Sequence, residues 1–124
     1  MTRRILIVDD EPNIATSLEF LMRGSDYDVQ VARNGEEALL LAESFRPDVV
    51  LLDVMMPQRS GFDVCRKIRE NPALRDMKIV MLTAKGRDVE KEKGLNLGAN
   101  AYVTKPFSTK ELMNTVRGLL PSGG

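Results

Sequence analysis

The sequence contains no histidine and a single cysteine, Cys65. Without an imidazole there is no Ser/His/Asp catalysis, no phosphohistidine role and little scope for a zinc site. One thiol excludes an internal disulfide, and Cys65 reads as a small hydrophobe on a helix face rather than a nucleophile. Charge imbalance is missing too. Eighteen basic residues face eighteen acidic ones and no basic run stands out, so bulk electrostatics give no drive toward nucleic acid or an anionic membrane. No apolar stretch approaches the length of a membrane span, and MTRRILIVDDE reaches acidic residues too early for a signal peptide. The expectation is a cytoplasmic protein with no membrane partner and no nucleic-acid contact. Low-complexity linkers and solenoid repeats are also absent.

What is present is a regular alternation. The 124 residues suit one domain over 1–124, with a core from about 4 to 120. Short apolar runs alternate with amphipathic segments, which predicts βαβ units. Ile5 to Val8 is the first strand; Pro12 then sits at a first helical position, with Ile14, Leu18, Leu21 and Met22 on one face before Gly24. Val29 to Ala32 is the second strand. Asn34 caps a helix with Glu37 three residues on, and Ala38, Leu41, Ala42 and Phe45 face inward until Pro47 stops it. Asp48 to Asp53 is the third strand, and its continuous VVLL marks burial on both faces. Phe62, Cys65 and Ile68 space out a third helix. Lys78 to Thr83 is the fourth strand, about Asp88 to Leu97 a weak fourth helix interrupted by Gly94, and Ala101 to Val103 a short fifth strand. Ser108 and Glu111 form a capping box for a last helix, with Leu112, Met113, Val116, Leu119 and Leu120 toward the core. Five strands alternating with five helices give an α/β fold, a doubly wound parallel sheet with helices on both faces.

Within VLLDVMMP, residues 50–57, one carboxylate interrupts an otherwise apolar run. A buried strand ending on a charge needs a reason. In open α/β sheets the ligand site lies outside the carboxyl ends of the strands. Asp9, Asp10, Glu11, Asp53, Thr83 and Lys105 collect at or just beyond those ends. Three converging aspartates repel and raise each other's pKa unless a cation sits among them. An all-oxygen donor set favours a hard ion such as Mg²⁺. A carboxylate can also accept a phosphoryl group, forming an acyl phosphate, if metal, ammonium and hydroxyl donors neutralise the transferred charge. Lys105 and Thr83 are the right two donors.

Five separated signatures, VDDE at 8–11, LLDVMMP at 51–57, SG at 60–61, LTAK at 82–85 and YVTKPF at 102–107, together make the chain resemble the receiver domains of two-component response regulators, and among them the chemotaxis receiver. The resemblance runs from about Arg4 to Leu120. It implies a flavodoxin-like (βα)5 fold with strand order 2-1-3-4-5, and a phosphoacceptor switch that assists its own phosphorylation and dephosphorylation without turning over an external substrate. By resemblance, Asp53 is the acceptor. Asp10 is a direct Mg²⁺ ligand, Asp9 a ligand through water, and the backbone carbonyl of Met55 a further contact. Thr83 and Lys105 bind the phosphoryl group, the Lys105–Pro106 bond is cis, and Tyr102 changes rotamer with Thr83. The implied partner is a histidine kinase or histidine phosphotransfer protein, with output through the fourth helix, fifth strand and fifth helix. Met55 and Lys85, lying along the path of the hydrolytic water, imply a long-lived phosphoform.

Taken singly, these residues have plainer readings. Asp9 and Asp10 suit the positive end of the first helix, Thr83 suits a strand, Lys105 a solvated surface, Tyr102 a core, and RDVEKEK a solvated helix face. A phosphatase of the haloacid dehalogenase type also uses an aspartyl nucleophile, Mg²⁺ and a lysine. Such enzymes carry a second acid two residues after the nucleophile, where this chain has Met55. A pseudo-receiver would lack site residues that are all present here. QRS at 58–60 is more polar than the family pattern. The ending LLPSGG suits a stand-alone regulator and a receiver cut from a longer regulator or hybrid kinase equally.

Overall fold

The computed structural model describes residues 2–56, 60–84, 92, 93 and 95–120. Its strands are β1 (Arg4–Val8), β2 (Asp28–Ala32), β3 (Val49–Asp53), β4 (Lys78–Ala84) and β5 (Ala101–Lys105); its helices are α1 (Pro12–Arg23), α2 (Gly35–Phe45), α3 (Gly61–Glu70) and a C-terminal helix (Thr109–Leu119). The strands form one sheet in the order β2-β1-β3-β4-β5, every neighbour parallel. The order reverses direction at β1, and β1 and β3 lie side by side there with their carboxyl ends at one edge. A crevice at such a reversal is where open α/β sheets bind ligands.

Burial follows the two-residue period of a strand. Ile5, Ile7, Val49 and Leu51 face one side, where Leu18 and Met22 of α1 and Leu112, Met113 and Val116 of the C-terminal helix cover them. Leu6, Val8, Val50 and Leu52 face the other, against Ala38 and Ala42 of α2 and Val64, Cys65 and Ile68 of α3. All five residues of β3 are buried, as its unbroken apolar run requires. Each leucine or isoleucine held this way contributes on the order of 2 kcal/mol over an exposed one.

Local signals behave as the sequence predicts at several ends. Pro12 opens α1, Asn34 Oδ1 accepts from the Glu37 N–H at 2.8 Å, and Ser108 Oγ accepts from the Glu111 N–H at 2.9 Å. Ser60 caps α3 in the same way, accepting from the Asp63 N–H at 3.3 Å, a cap not anticipated. The inward faces are those the sequence predicts: Ile14 and Leu21 of α1, Leu41 of α2, and Leu119 and Leu120 are half-buried and pack against the core, and Ala15 joins Leu18 and Met22 in the fully buried stripe of α1. Phe45, also half-buried, carries the Arg4 guanidinium over its ring at 5.6 Å.

One boundary differs in a way that matters for the site. The fifth strand does not stop at Val103; it continues through Thr104 and Lys105, which pair with Thr83 and Ala84 of β4. The apolar pattern ends where the backbone ladder does not, because main-chain pairing is indifferent to the side chains it carries. Lys105 is therefore the last residue of β5, not a residue after it. The predicted fourth helix and Gly94 lie largely outside the described residues, of which 92, 93, 95 and 96 are helical. Among the described residues no helix is long and apolar enough to cross a membrane.

Candidate functional site

Strand ends bring the predicted residues to one edge. Asp9 directly follows β1, Asp53 closes β3, Thr83 is the last residue but one of β4, and Lys105 closes β5. Asp53 is in register with Leu82, so Thr83 is one residue further along the neighbouring strand. Asp9, Asp53 and Thr83 are almost fully buried, whereas Asp10 is exposed.

Carboxylate oxygens of Asp9, Asp10 and Asp53 lie within 4.8 Å of one another. That donor set, all oxygen with one member open to solvent, fits a hard divalent ion such as Mg²⁺, which keeps several waters and takes few protein ligands. The Met55 side chain is exposed, and its N–H donates to Asp53 Oδ1 at 3.1 Å. Asp9 Oδ1 accepts from the Glu11 N–H at 2.9 Å, so Asp9 is oriented by the turn into α1 rather than by capping the helix itself: Glu11 holds the cap position without a side-chain bond.

The cation among these acids is Lys105. Its Nζ lies 3.2 Å from Asp9 Oδ2 and 3.5 Å from Asp53 Oδ1. Burial pushes the Asp53 carboxyl up from 3.8 to about 6; the Lys105 ammonium opposes that shift, the Asp9 charge adds to it, and the Met55 N–H opposes it. Asp53 is costly to ionise, and a neighbouring ammonium lowers that cost without removing it. The Lys105–Pro106 peptide bond is cis.

Tyr102 is half-buried and packs against the core shared by α2 and α3. It is in register with Met81, two residues before Thr83. Pro57, Gln58 and Lys85 lie outside the described residues, so the predicted role of Lys85 falls outside them too.

Sequence reasoning quoted Ser60 and Gly61 as a signature without seeing what Gly61 does. Its N–H donates to Val54 O at 3.0 Å, and a Cβ placed on it would sit 2.3 Å from the Asp53 carbonyl oxygen. Only a residue without Cβ lets the start of α3 lie against the end of β3. Gly61→Ala is expected to cost about 2 kcal/mol, because backbone rather than a flexible side chain must move aside. Urea unfolding checks it; unchanged stability would show that the approach is not tight.

Comparison with known proteins places these features. Residues 5–117 match the response regulator receiver domain family. A protein of Chloroflexus aurantiacus classed as a response regulator is 38% identical, superposes with a TM-score of 0.92, and is covered over 98% of its length by 96% of this chain. The Vibrio cholerae chemotaxis protein CheY4 is 31% identical with a TM-score of 0.91, over 97% of this chain and 100% of that one. The receiver domain of a signal transduction histidine kinase from Syntrophus aciditrophicus is 33% identical with a TM-score of 0.89, over 96% of this chain and 90% of that one.

Proposed function

The chain belongs to the response regulator receiver domains, and on that premise we propose that it is a two-component signalling switch whose Asp53 accepts a phosphoryl group from a histidine kinase or histidine phosphotransfer protein. Receiver domains signal rather than turn over an external substrate, and the absence of a second acid at Met55 fits that class better than a phosphatase. The observation that carries the reading is the position of Lys105 Nζ, 3.2 Å from Asp9 and 3.5 Å from Asp53, in a cluster that Asp10 completes.

In the proposed transfer an ionised Asp53 oxygen attacks phosphorus in line with the bond to the donor. The new O–P bond forms as the donor's P–N bond breaks, and the electron pair stays with the departing imidazole nitrogen. Above about pH 6 Asp53 carries the charge this needs. Lys105, already held over the Asp53 carboxylate, is placed to meet an oxygen of the incoming group, and Thr83 to donate a hydrogen bond to another. Asp9, Asp10 and Asp53, with the Met55 carbonyl, would hold Mg²⁺, which neutralises charge on the phosphoryl oxygens when bound. Tyr102 and Thr83 share the β4–β5 pair, which gives the phosphoryl state a path to the surface of β5, the segment before it and the C-terminal helix. Such a switch biases two existing conformations rather than making a new one.

Incubation with acetyl phosphate and Mg²⁺ tests the reading. One phosphoryl group per chain by intact mass is expected, and none when Mg²⁺ is chelated. Asp10→Asn should weaken Mg²⁺ binding about tenfold or more, the scale of one carboxylate's attraction at a partly screened site. Unchanged Mg²⁺ affinity in titration calorimetry would move the ion elsewhere.

A further inference from the structure

One guanidinium on α3 ties together the amino ends of β4 and β5. Arg69 Nε donates to Gly98 O at 2.9 Å and its Nη2 to Asn100 Oδ1 at 2.7 Å, both just ahead of β5. Its Nη1 donates to Arg75 O at 2.8 Å and to Met77 O at 2.6 Å, both just ahead of β4. Bonds from a charged donor held in a rigid fork are among the stronger and more directional ones a side chain makes. Residue 98 leaves room for the fork. Its backbone has a φ of +104°, and a Cβ there would stand 3.0 Å from Arg69 Nε, which glycine avoids on both counts.

Asn100 turns this tie into a strand register. Its N–H donates to Ile79 O at 2.8 Å, and its Oδ1 accepts from the Ile79 N–H at 2.8 Å. Ile79 is fully buried, so both of its backbone groups need partners, and one residue supplies them. They meet directly before the ladder that pairs Val80 with Ala101 and ends with Ala84 opposite Lys105. Sliding the strands by one or two residues would bring Gly98, Ala99, Ala101 or Tyr102 opposite Ile79, and none of these has a side-chain amide or carboxylate oxygen. Register in turn decides where Lys105 lands. A slip of one residue turns its side chain to the other face of the sheet, and a slip of two carries it about 7 Å along the strand, against the 3.5 Å between its Nζ and Asp53 Oδ1.

We propose that Arg69 and Asn100 are positioning residues for phosphoryl transfer, locking at the far end of β5 the register that delivers Lys105 to Asp53. The proposal rests on Asp53 being the acceptor and on Lys105 meeting the incoming group. Neither positioning residue touches that group: Asn100 is five residues before Lys105 in the chain, about 17 Å along an extended strand. It acts through the backbone of β5, which five consecutive pairs join to β4. A full slip is not required for an effect, since a misplacement of about 1 Å at a reacting group can cost about 100-fold in rate.

Phosphorylation rates with acetyl phosphate at saturating Mg²⁺ test this in wild type, Asn100→Ala, Asn100→Asp, Lys105→Met and the double variant Asn100→Ala/Lys105→Met. Asn100→Ala is expected to slow transfer about tenfold or more. Asn100→Asp keeps an oxygen for Ile79 and Arg69 and should stay within about twofold of wild type. In the Lys105→Met background, adding Asn100→Ala should change the rate by less than about twofold, because a residue that acts through another has nothing left to act on once that one is gone. The same loss in both backgrounds would mean a general loosening of the fold and would overturn the lock alone, as would a wild-type rate in Asn100→Ala or an equal loss in Asn100→Asp. Should Asn100→Ala not fold, Arg69→Lys keeps the charge and loses the fork. A fall of about threefold that disappears in Lys105→Met is then expected, and no fall, or an equal one in that background, would overturn the lock. Wild type that takes up no phosphoryl group would overturn the acceptor reading, and the lock with it.

Discussion

Lys105→Met should slow phosphorylation by acetyl phosphate about 100-fold, the usual cost of removing one group aimed at developing charge in a transfer reaction, while tightening Mg²⁺ binding about tenfold. The two effects have opposite signs because the ammonium serves two sets of oxygens. Its Nζ is 3.2 Å from Asp9 Oδ2 and 3.5 Å from Asp53 Oδ1, so it occupies acceptor sites on the carboxylates that would ligate a metal. Its removal leaves the three acids with no competing cation among the described residues, and a divalent ion gains what the lysine held. The incoming phosphoryl group loses its only described ammonium partner at the same time. Stopped-flow metal titration and phosphorylation rates at saturating Mg²⁺ separate the two. A parallel fall in both would mean that Lys105 only holds the edge of the sheet together.

Asp53→Asn should stabilise the metal-free protein at neutral pH by up to about 3 kcal/mol, the worth of a carboxyl raised from 3.8 to about 6 at 1.36 kcal/mol per unit. The folded carboxyl holds its proton more tightly than the unfolded one, so the folded state binds more protons between those values. Stability from this group is therefore complete below the unfolded pKa and lost as pH rises through about 6. Asparagine does not titrate, and the variant keeps what wild type loses. Burial is the chief cause and the side chain is 9% exposed, so little solvent screening reduces the effect. Urea unfolding in chelator at pH 4 and pH 7.5 should show a small difference between the two proteins at the lower pH and a large one at the higher. Saturating Mg²⁺ should narrow the gap at pH 7.5, because only wild type has all three acids. A gap that is equal at both pH values would place its origin in packing rather than in charge.

The elements closest to the site were the most legible. A run such as VVLLD can be buried on both faces only in a covered parallel sheet, so β3 and the location of Asp53 at its end follow from residue order. The caps at Asn34 and Ser108 are local, one side chain and one N–H apart by three residues, and local chemistry is what a sequence displays. The limits of β5 were not legible, since Thr104 and Lys105 look like loop residues until β4 is beside them. Arg69 was missed for a similar reason. On a helix rich in charge it reads as solvated, and its partners lie 6 to 31 residues away in sequence. Gly61 was seen, but its purpose depends on the backbone of Asp53 and Val54, eight and seven residues earlier, and cannot be read from its immediate neighbours. The expectation was a cation among three acids; what residue order did not display is that Lys105, distant in sequence, lies 3.2 Å from Asp9 and 3.5 Å from Asp53.

The central claim is that Asp53 receives the phosphoryl group. The most direct measurement is peptide mapping after phosphorylation with acetyl phosphate and Mg²⁺ and reductive trapping of the acyl phosphate with borohydride. Trapped label on Asp53 alone, and none in Asp53→Asn under the same conditions, is the result this account predicts. Label on Asp9 or Asp10 in wild type, or undiminished label in Asp53→Asn, would contradict it.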